Sequence, residues 1–320
     1  MGKVISEKKR LNNEKLKKYH FSHSLIHKNL SISTEKGNYA QRKSIAASGG
    51  LKAQKMNIAQ KIIEAHKLKF GILPPLQQCS VSGSALINAD CMDILPLIPD
   101  KSVQLIVIDP PYFEIKGDFD FVFESEKQYL EFIEGVIIES KRVLKQDGSL
   151  FLYCSQEMGA YIDLILRKHF IIKNRLIWYR SGGISPRKKF KVSHEPLFYC
   201  VNDIDNHIWN LDDIRVKSIY ADKDKRLNPL GKSPDDVWYI PNLVGRKSEK
   251  VDHPTQKPLE ICDRIIKCST NENDIVLIPF AGSGSELVKS KELNRKFIGI
   301  EKEVKYYDLA VARMFGQHCH

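Results

Sequence analysis

The sequence predicts an α/β protein whose mostly parallel, Rossmann-like sheet carries helices on both faces. Short apolar strands alternate with amphipathic helices of about 10 to 15 residues, a pattern typical of parallel strands joined by right-handed crossovers. Two of the strands end in unusual turns. The apolar run 105–108 enters Asp-Pro-Pro-Tyr, and the run 275–278 enters a glycine-rich segment.

Charge is distributed unevenly along the 320 residues, which have a net charge of +11. Residues 1–60 hold thirteen basic and three acidic residues. This basic arm can neutralise nucleic-acid phosphates, and a solvated, disordered extension is the alternative. Apolar runs are all shorter than about 18 residues, and the N-terminus is charged, so we expect a cytoplasmic protein with no membrane or secretion segment.

Changes of pattern divide the chain into four predicted regions. Residues 1–75 form the basic extension, in which two helices around a glycine break at 48–50 loosely resemble a helix-turn-helix. Residues 76–180 and 251–320 form the two halves of the α/β domain. Residues 181–250 break its rhythm and are predicted to be an inserted recognition region. Its basic run supplies candidate DNA phosphate contacts, for which a solvated loop is the alternative: Arg187, Lys188, Lys189 and Lys191.

The seven cysteines are odd in number and form no Cys-x-x-Cys pair, which indicates reduced thiols. The best zinc candidate is the C-terminal tail His318-Cys319-His320. Because no paired ligands of suitable spacing precede that tail, we predict no metal site.

The turn formed by Asp109, Pro110, Pro111 and Tyr112 predicts a catalytic site. Proline has no backbone N–H, so this turn presents carbonyl oxygens beside the carboxylate of Asp109. A corner rich in acceptors and poor in donors suits a substrate with two N–H bonds, such as the exocyclic amino group of a nucleobase. Tyr112 offers a ring on which a base could stack. A plain βα turn is the structural alternative.

The glycine-rich segment predicts a nucleotide-like cofactor. Glycines let a cofactor approach the backbone, and Glu301, at the end of the next strand, can accept hydrogen bonds from ribose hydroxyls. A dinucleotide fingerprint would need a third glycine and an NTPase loop a Gly-Lys-Ser/Thr, and neither is present. S-adenosylmethionine, with a ribose and no pyrophosphate, matches this pattern. The segment comprises Pro279, Phe280, Ala281, Gly282, Ser283, Gly284 and Ser285.

Three motifs in this order resemble the β group of DNA amino-methyltransferases over about residues 85–315. They are Asp-Pro-Pro-Tyr at 109–112, His-Pro-Thr-Gln-Lys-Pro at 253–258 and Pro-Phe-Ala-Gly-Ser-Gly at 279–284. The resemblance implies methyl transfer from S-adenosylmethionine to a base flipped out of double-stranded DNA. Asp109 and the Pro110 carbonyl would accept the amino protons. Besides the glycine-rich segment, the implied cofactor contacts are Asp90, Cys91, Thr255, Lys257 and Glu301.

Aspartate at the first motif position favours N6 of adenine by family analogy, and N4 of cytosine is the next alternative. RNA as substrate is a third. A partner restriction endonuclease and a homodimer are also implied as options. One residue departs from the pattern, since Ile278 stands where the family usually has an acid beside the methionine end of the cofactor. We therefore expect weakened cofactor binding, and a DNA-binding specificity protein without turnover is the alternative.

Overall fold

The computed structural model describes residues 56–70, 76–78, 83–113, 123–180, 186–218, 226, 228–244 and 248–315. Residues 1–55, with the glycine break at 48–50, lie outside these ranges. So do most of the loop after Tyr112 and the C-terminal tail with the candidate zinc ligands.

The described strands form one nine-stranded sheet in the order β1-β2-β9-β8-β3-β4-β6-β5-β7. The strands are β1 (Leu76–Gln78), β2 (Ala85–Asn88), β3 (Val103–Ile108), β4 (Leu144–Tyr153), β5 (Ile171–Tyr179), β6 (His194–Val201), β7 (Val237–Tyr239), β8 (Ile275–Ile278) and β9 (Lys296–Glu301).

Helices cover both faces of this sheet, as predicted. They are α1 (Ile58–Phe70), α2 (Cys91–Ile94), α3 (Glu126–Val143), α4 (Gly159–His169), α5 (Leu259–Ser269), α6 (Ser285–Glu292) and α7 (Val304–Phe315). Apolar residues of α1 to α4 form one core with Ile106 and Ile108 of β3. Residues of α5 to α7 form the other core with Leu105 and Val107. Successive side chains of a strand face opposite sides, so each buried strand contributes to both cores.

Strand direction brings the predicted motifs to one edge of the sheet. Strands β2, β9, β8, β3 and β4 are parallel neighbours, so their carboxyl ends lie together. Strand β6 runs antiparallel between β4 and β5 and therefore begins where they end. Because β3 and β8 are hydrogen-bonded neighbours, the turn after each strand lies beside the other. We call this edge the catalytic edge.

The predicted recognition region contributes two strands to the sheet. Strand β6 pairs with β4 and β5, and β7 pairs with β5, so part of the region 181–250 belongs to the sheet. The apolar residues of β6 are buried in the sheet, but a local pattern does not show between which strands a segment inserts. The segments outside β6 and β7 remain the candidates for recognition.

Helix α3 ends at Val143, and β4 begins at the next residue and continues through Asp147-Gly148. The pairing with β3 is irregular at this point, where Gln104 Nε2 donates to the Asp147 carbonyl at 3.1 Å. Among the described helices, none has the length and apolar character needed to cross a bilayer.

Candidate active site

Asp109 lies at the catalytic edge, directly after the fully buried strand β3. Its side chain is 22% exposed. Burial raises the pKa of its carboxyl, and Lys257 opposes this rise. None of the hydrogen bonds between described residues ends on the Pro110 carbonyl oxygen. Asp109 and Pro110 thus follow each other directly after β3, so both groups predicted to accept the amino protons belong to the catalytic edge.

Lys257 gives this corner a donor that the sequence analysis did not foresee. Its Nζ lies 2.8 Å from Asp109 Oδ1 and 2.7 Å from Oδ2, and the side chain is only 4% exposed. Burial alone would lower the pKa of Lys257, but Asp109 and Glu195 outweigh it and raise that pKa. The description of the corner as poor in donors is thus wrong for side chains. A partly buried carboxylate requires a counter-charge, and proline affects only the backbone.

Aromatic rings surround the Lys257 ammonium. Its Nζ lies 4.7 Å from the ring centroid of Tyr153, 5.8 Å from that of Tyr112 and 5.9 Å from that of Trp178. Rings at these distances stabilise a desolvated cation through their quadrupoles. The structure places the charged end of Lys257 on Asp109, so this lysine holds the Asp109 carboxylate in position. Its predicted contact with the cofactor stays a prediction.

Glu195 adds a second carboxylate beside Asp109. Its Oε2 lies 3.6 Å from Lys257 Nζ, and its Oε1 lies 3.2 Å from Arg180 Nε. The Tyr112 hydroxyl is 3.2 Å from Asp109 Oδ1 and 3.5 Å from Glu195 Oε2, so it can donate to either. Burial keeps this phenol protonated by raising its pKa. Two acids, one hydroxyl and one lysine thus form a connected cluster.

Tyr112 is only 9% exposed. Its hydroxyl is held in the carboxylate cluster, and its ring belongs to the core on the α5 side of the sheet. Stacking on an extruded base, as predicted, requires part of this ring to become accessible when DNA binds.

The glycine-rich turn lies at the end of β8, next to Asp109. Gly282 and Gly284 have φ values of +49° and +74°, which glycine adopts without strain. A Cβ at position 282 would lie 3.1 Å from His253 Nε2, and one at position 284 would lie 3.0 Å from Ala310 Cβ. Both positions therefore require glycine for conformation as well as for space.

The carboxylate of Glu301 accepts hydrogen bonds from the backbone of this turn and of the residues after β9. Oε2 accepts the Gly282 N–H at 2.7 Å, and Oε1 accepts the Glu303 N–H at 2.9 Å. A carboxylate offers about four lone-pair positions, so two remain for ribose hydroxyls. Burial raises the pKa of Glu301, and the two N–H groups oppose that rise. The residues present thus fit an adenosine-like group placed against the turn.

Other predicted cofactor contacts serve the protein itself. Asp90 caps α2 through Met92 N at 3.0 Å and pairs with Lys302 at 2.9 Å. The Cys91 side chain is buried in the core, where burial raises the pKa of its thiol, so only its backbone can reach a ligand. The Thr255 N–H donates to His253 Nδ1 at 3.3 Å.

The glycine-rich segment itself is mostly buried. Ser283 and Ser285 are 4% and 1% exposed, and their hydroxyls lie 3.3 Å apart. Ser285 Oγ donates to the Lys257 carbonyl at 2.8 Å, which couples the glycine turn to the lysine segment. Pro279 and Ala281 are also buried, while Phe280 is half-buried with its ring 6.0 Å from that of Phe132.

Three residues of the site, Glu195, Arg180 and Tyr153, were not predicted to act there. The antiparallel direction of β6 is what brings Glu195 to the catalytic edge. The signal available in the sequence was an acidic residue near the start of a strand. In an antiparallel strand the start, and not the end, lies at the catalytic edge.

The basic segment of residues 187–191 immediately precedes β6. Because β6 begins at the catalytic edge, this segment leads into that edge. All four of its predicted cations are exposed, and Phe190 between them is 98% exposed. The Arg180 N–H donates to the Ser193 carbonyl at 2.8 Å, which anchors the end of this segment.

Metal ligands are not grouped in the described part of the chain, where no set of three His, Cys, Asp or Glu could hold an ion. The described cysteines are buried and unpaired: Cys91, Cys154, Cys200, Cys262 and Cys268.

A family model described as DNA methylase matches residues 103–312. DNA adenine methyltransferase YhdJ of Escherichia coli is 38% identical, over 72% of this chain and 82% of that protein. Type II methyltransferase M.BglII of Bacillus subtilis is 36% identical, over 72% of this chain and 69% of that protein.

Solved structures agree with this match. The M1.HpyAVI–SAM complex is 26% identical and has a TM-score of 0.51, over 72% of this chain and 98% of that one. The cytosine-N4-specific PvuII DNA methyltransferase shares the fold, with a TM-score of 0.58 at 16% identity, over 74% of this chain and 88% of that one. The predicted methyltransferase fold is therefore confirmed.

Proposed function

Because this chain belongs to the DNA methylase family, we propose that it transfers a methyl group from S-adenosylmethionine to N6 of adenine within a short sequence of double-stranded DNA. The observation that carries this proposal is the position of Asp109 and Pro110 after β3, beside the glycine turn after the neighbouring strand β8. A base amino group held by the first turn faces a cofactor held by the second. The adenine target is supported by the relative named as a DNA adenine methyltransferase.

The residues act by orientation and electrostatics. Asp109 and the Pro110 carbonyl accept the two amino protons and direct the nitrogen lone pair away from the ring. The glycine turn and Glu301 would hold S-adenosylmethionine, which would supply an electrophilic methyl carbon to that nitrogen, with its sulfur as the leaving group. One amino proton must leave, and Asp109 can accept it because burial raises the pKa of its carboxyl. Lys257 holds that carboxylate in place. Fixing the reacting groups and excluding water supply most of the acceleration.

Sequencing that detects modified bases, applied to DNA from an unmethylated host expressing this protein, tests the proposal. We expect N6-methyladenine at one short motif and none in the host without the protein. N4-methylcytosine at a motif would reassign the target base. Unmodified DNA, combined with purified protein that transfers label only to RNA or not at all, would contradict the proposal.

The basic segment is proposed to contact DNA phosphates. We expect Lys188→Ala/Lys189→Ala to weaken DNA binding without changing the methylated sequence. It should also reduce the slope of log affinity against log salt by about 2, since each phosphate contact contributes about 0.9. Fluorescence anisotropy at several salt concentrations measures both effects.

A matched control is Lys168→Ala/Lys173→Ala, which removes the same charge near the start of β5, far from the catalytic edge. An equal change of salt slope in both double variants would show a non-specific charge effect and count against the assignment.

Type II relatives also support a partner restriction endonuclease, which we propose together with a cytoplasmic location and a homodimer.

A further inference from the structure

Glu286 is a buried acid with no assigned role. It is the second residue of α6, directly after the glycine turn, and is 6% exposed. Its Oε1 atom is inaccessible and has no hydrogen-bond partner among the described residues. Burial raises the pKa of its carboxyl, and Asp109 raises it further. A buried, unpartnered carboxyl oxygen is costly and calls for a physical reason.

The cations around Glu286 are engaged elsewhere. Lys257 donates to Asp109, and Arg313 donates through Nη1 to Ser283 O at 2.6 Å and to Ser285 Oγ at 3.2 Å. Within the described residues, no ion pair reaches Glu286. The Cys262 thiol contacts its carboxyl and supplies only a weak donor. The N-terminal end of α6 favours an anion but does not satisfy Oε1.

A second unpartnered polar atom belongs to the same neighbourhood. The Tyr153 hydroxyl is buried and has no hydrogen-bond partner among the described residues. Cys262, Glu286 and Asp109 all influence the pKa of this phenol, which burial raises most. The Lys257 Nζ lies 4.7 Å from the centroid of the Tyr153 ring. An acceptor and a hydroxyl, both without partners among the described residues, thus border Lys257.

The location of Glu286 matches the far end of the expected cofactor. A molecule with its ribose at Glu301 and its methyl group at Asp109 must extend its amino-acid end from the sulfur, on the catalytic side of the glycine turn. Ser285 Oγ bonds the Lys257 carbonyl, so the first turn of α6 is fixed against that side. Ile278, at the end of β8, is 1% exposed in the core and offers no charge.

We propose that Glu286 is the anionic partner of the α-ammonium group of S-adenosylmethionine, and so supplies from helix α6 the charge that position 278 lacks. This inference rests on the proposed function. The ammonium would donate to the carboxylate once the Glu286 side chain turns Oε1 toward the cofactor, and the two opposite charges would be buried together. Cofactor affinity then depends on Glu286, and the catalytic cluster around Lys257 stays intact.

Calorimetry with two ligands tests this pairing. One ligand is S-adenosylmethionine, and the other is an analogue whose α-amino group is replaced by hydrogen. We expect Glu286→Gln to weaken binding of S-adenosylmethionine about tenfold or more and to leave affinity for the analogue nearly unchanged. In the unmodified protein, the analogue should bind about as weakly as S-adenosylmethionine binds the variant.

Matched controls keep the result interpretable. Glu292→Gln changes an exposed acid of the same helix and should leave both affinities unchanged. Glu286→Ser, with a smaller side chain, repeats the test, and thermal melting confirms that the variants fold. Equal loss for both ligands, or no loss for either, would overturn the pairing. Failure of the unmodified protein to bind S-adenosylmethionine would instead contradict the proposed function.

Discussion

We expect the Asp109→Asn variant to transfer methyl groups at least about 10³-fold more slowly than the unmodified protein. The substitution keeps the shape of the side chain but removes the charge that attracts the amino protons. The new amide N–H₂ would also face the amino group of the base, donor against donor. Single-turnover transfer of labelled methyl groups to DNA measures the loss directly.

DNA binding should survive this substitution, because the predicted phosphate contacts lie in the basic segment. Lys257 loses one anionic partner but retains Glu195 at 3.6 Å, so a moderate fall in melting temperature is expected as well. Asp213→Asn, at an exposed position, serves as the control. An Asp109→Asn variant that kept more than a tenth of the transfer rate would exclude Asp109 as the acceptor of the amino protons.

Local chemistry explains which parts of the site were predictable. The Asp-Pro-Pro-Tyr turn and the glycine turn each consist of consecutive residues, so their donors, acceptors and backbone freedom can be read from the sequence. Their proximity was expected because the implied methyl transfer requires the two turns to lie close together. The structure agrees, since β3 and β8 pair directly.

Contacts between distant segments were not predictable in this way. Lys257 and Asp109 are 148 positions apart, and their ion pair depends on the path of the chain before α5. That path is set by Gln256, whose Nε2 donates to the Glu249 carbonyl and whose Oε1 accepts the Val251 N–H, both at 2.8 Å. Glu195 reaches the site only because β6 inserts antiparallel between two earlier strands.

Lys257 is the residue whose removal should change the chemistry of the site most specifically. Without its ammonium, Asp109 and Glu195 would share the Tyr112 hydroxyl with no cation between them. The two largest causes that remain for Asp109, burial and the nearby Glu195 carboxylate, both favour its neutral form. The pKa of Asp109 should therefore rise further. Only ionised Asp109 accepts the amino protons well, so activity should require a higher pH.

We therefore expect Lys257→Met, which keeps an apolar stem among Tyr153 and Trp178, to lose roughly 10²-fold in transfer rate at pH 7, because less of Asp109 is ionised at that pH. The rate should recover as the pH rises toward 9, whereas the unmodified protein gains little over that range. Lys267→Met, which removes a lysine paired with Asp263 on the surface of α5, should leave the profile unchanged. A Lys257→Met variant with a uniformly lower rate but the original pH profile would show that Lys257 acts only through stability. Its charge would then have no part in keeping Asp109 ionised.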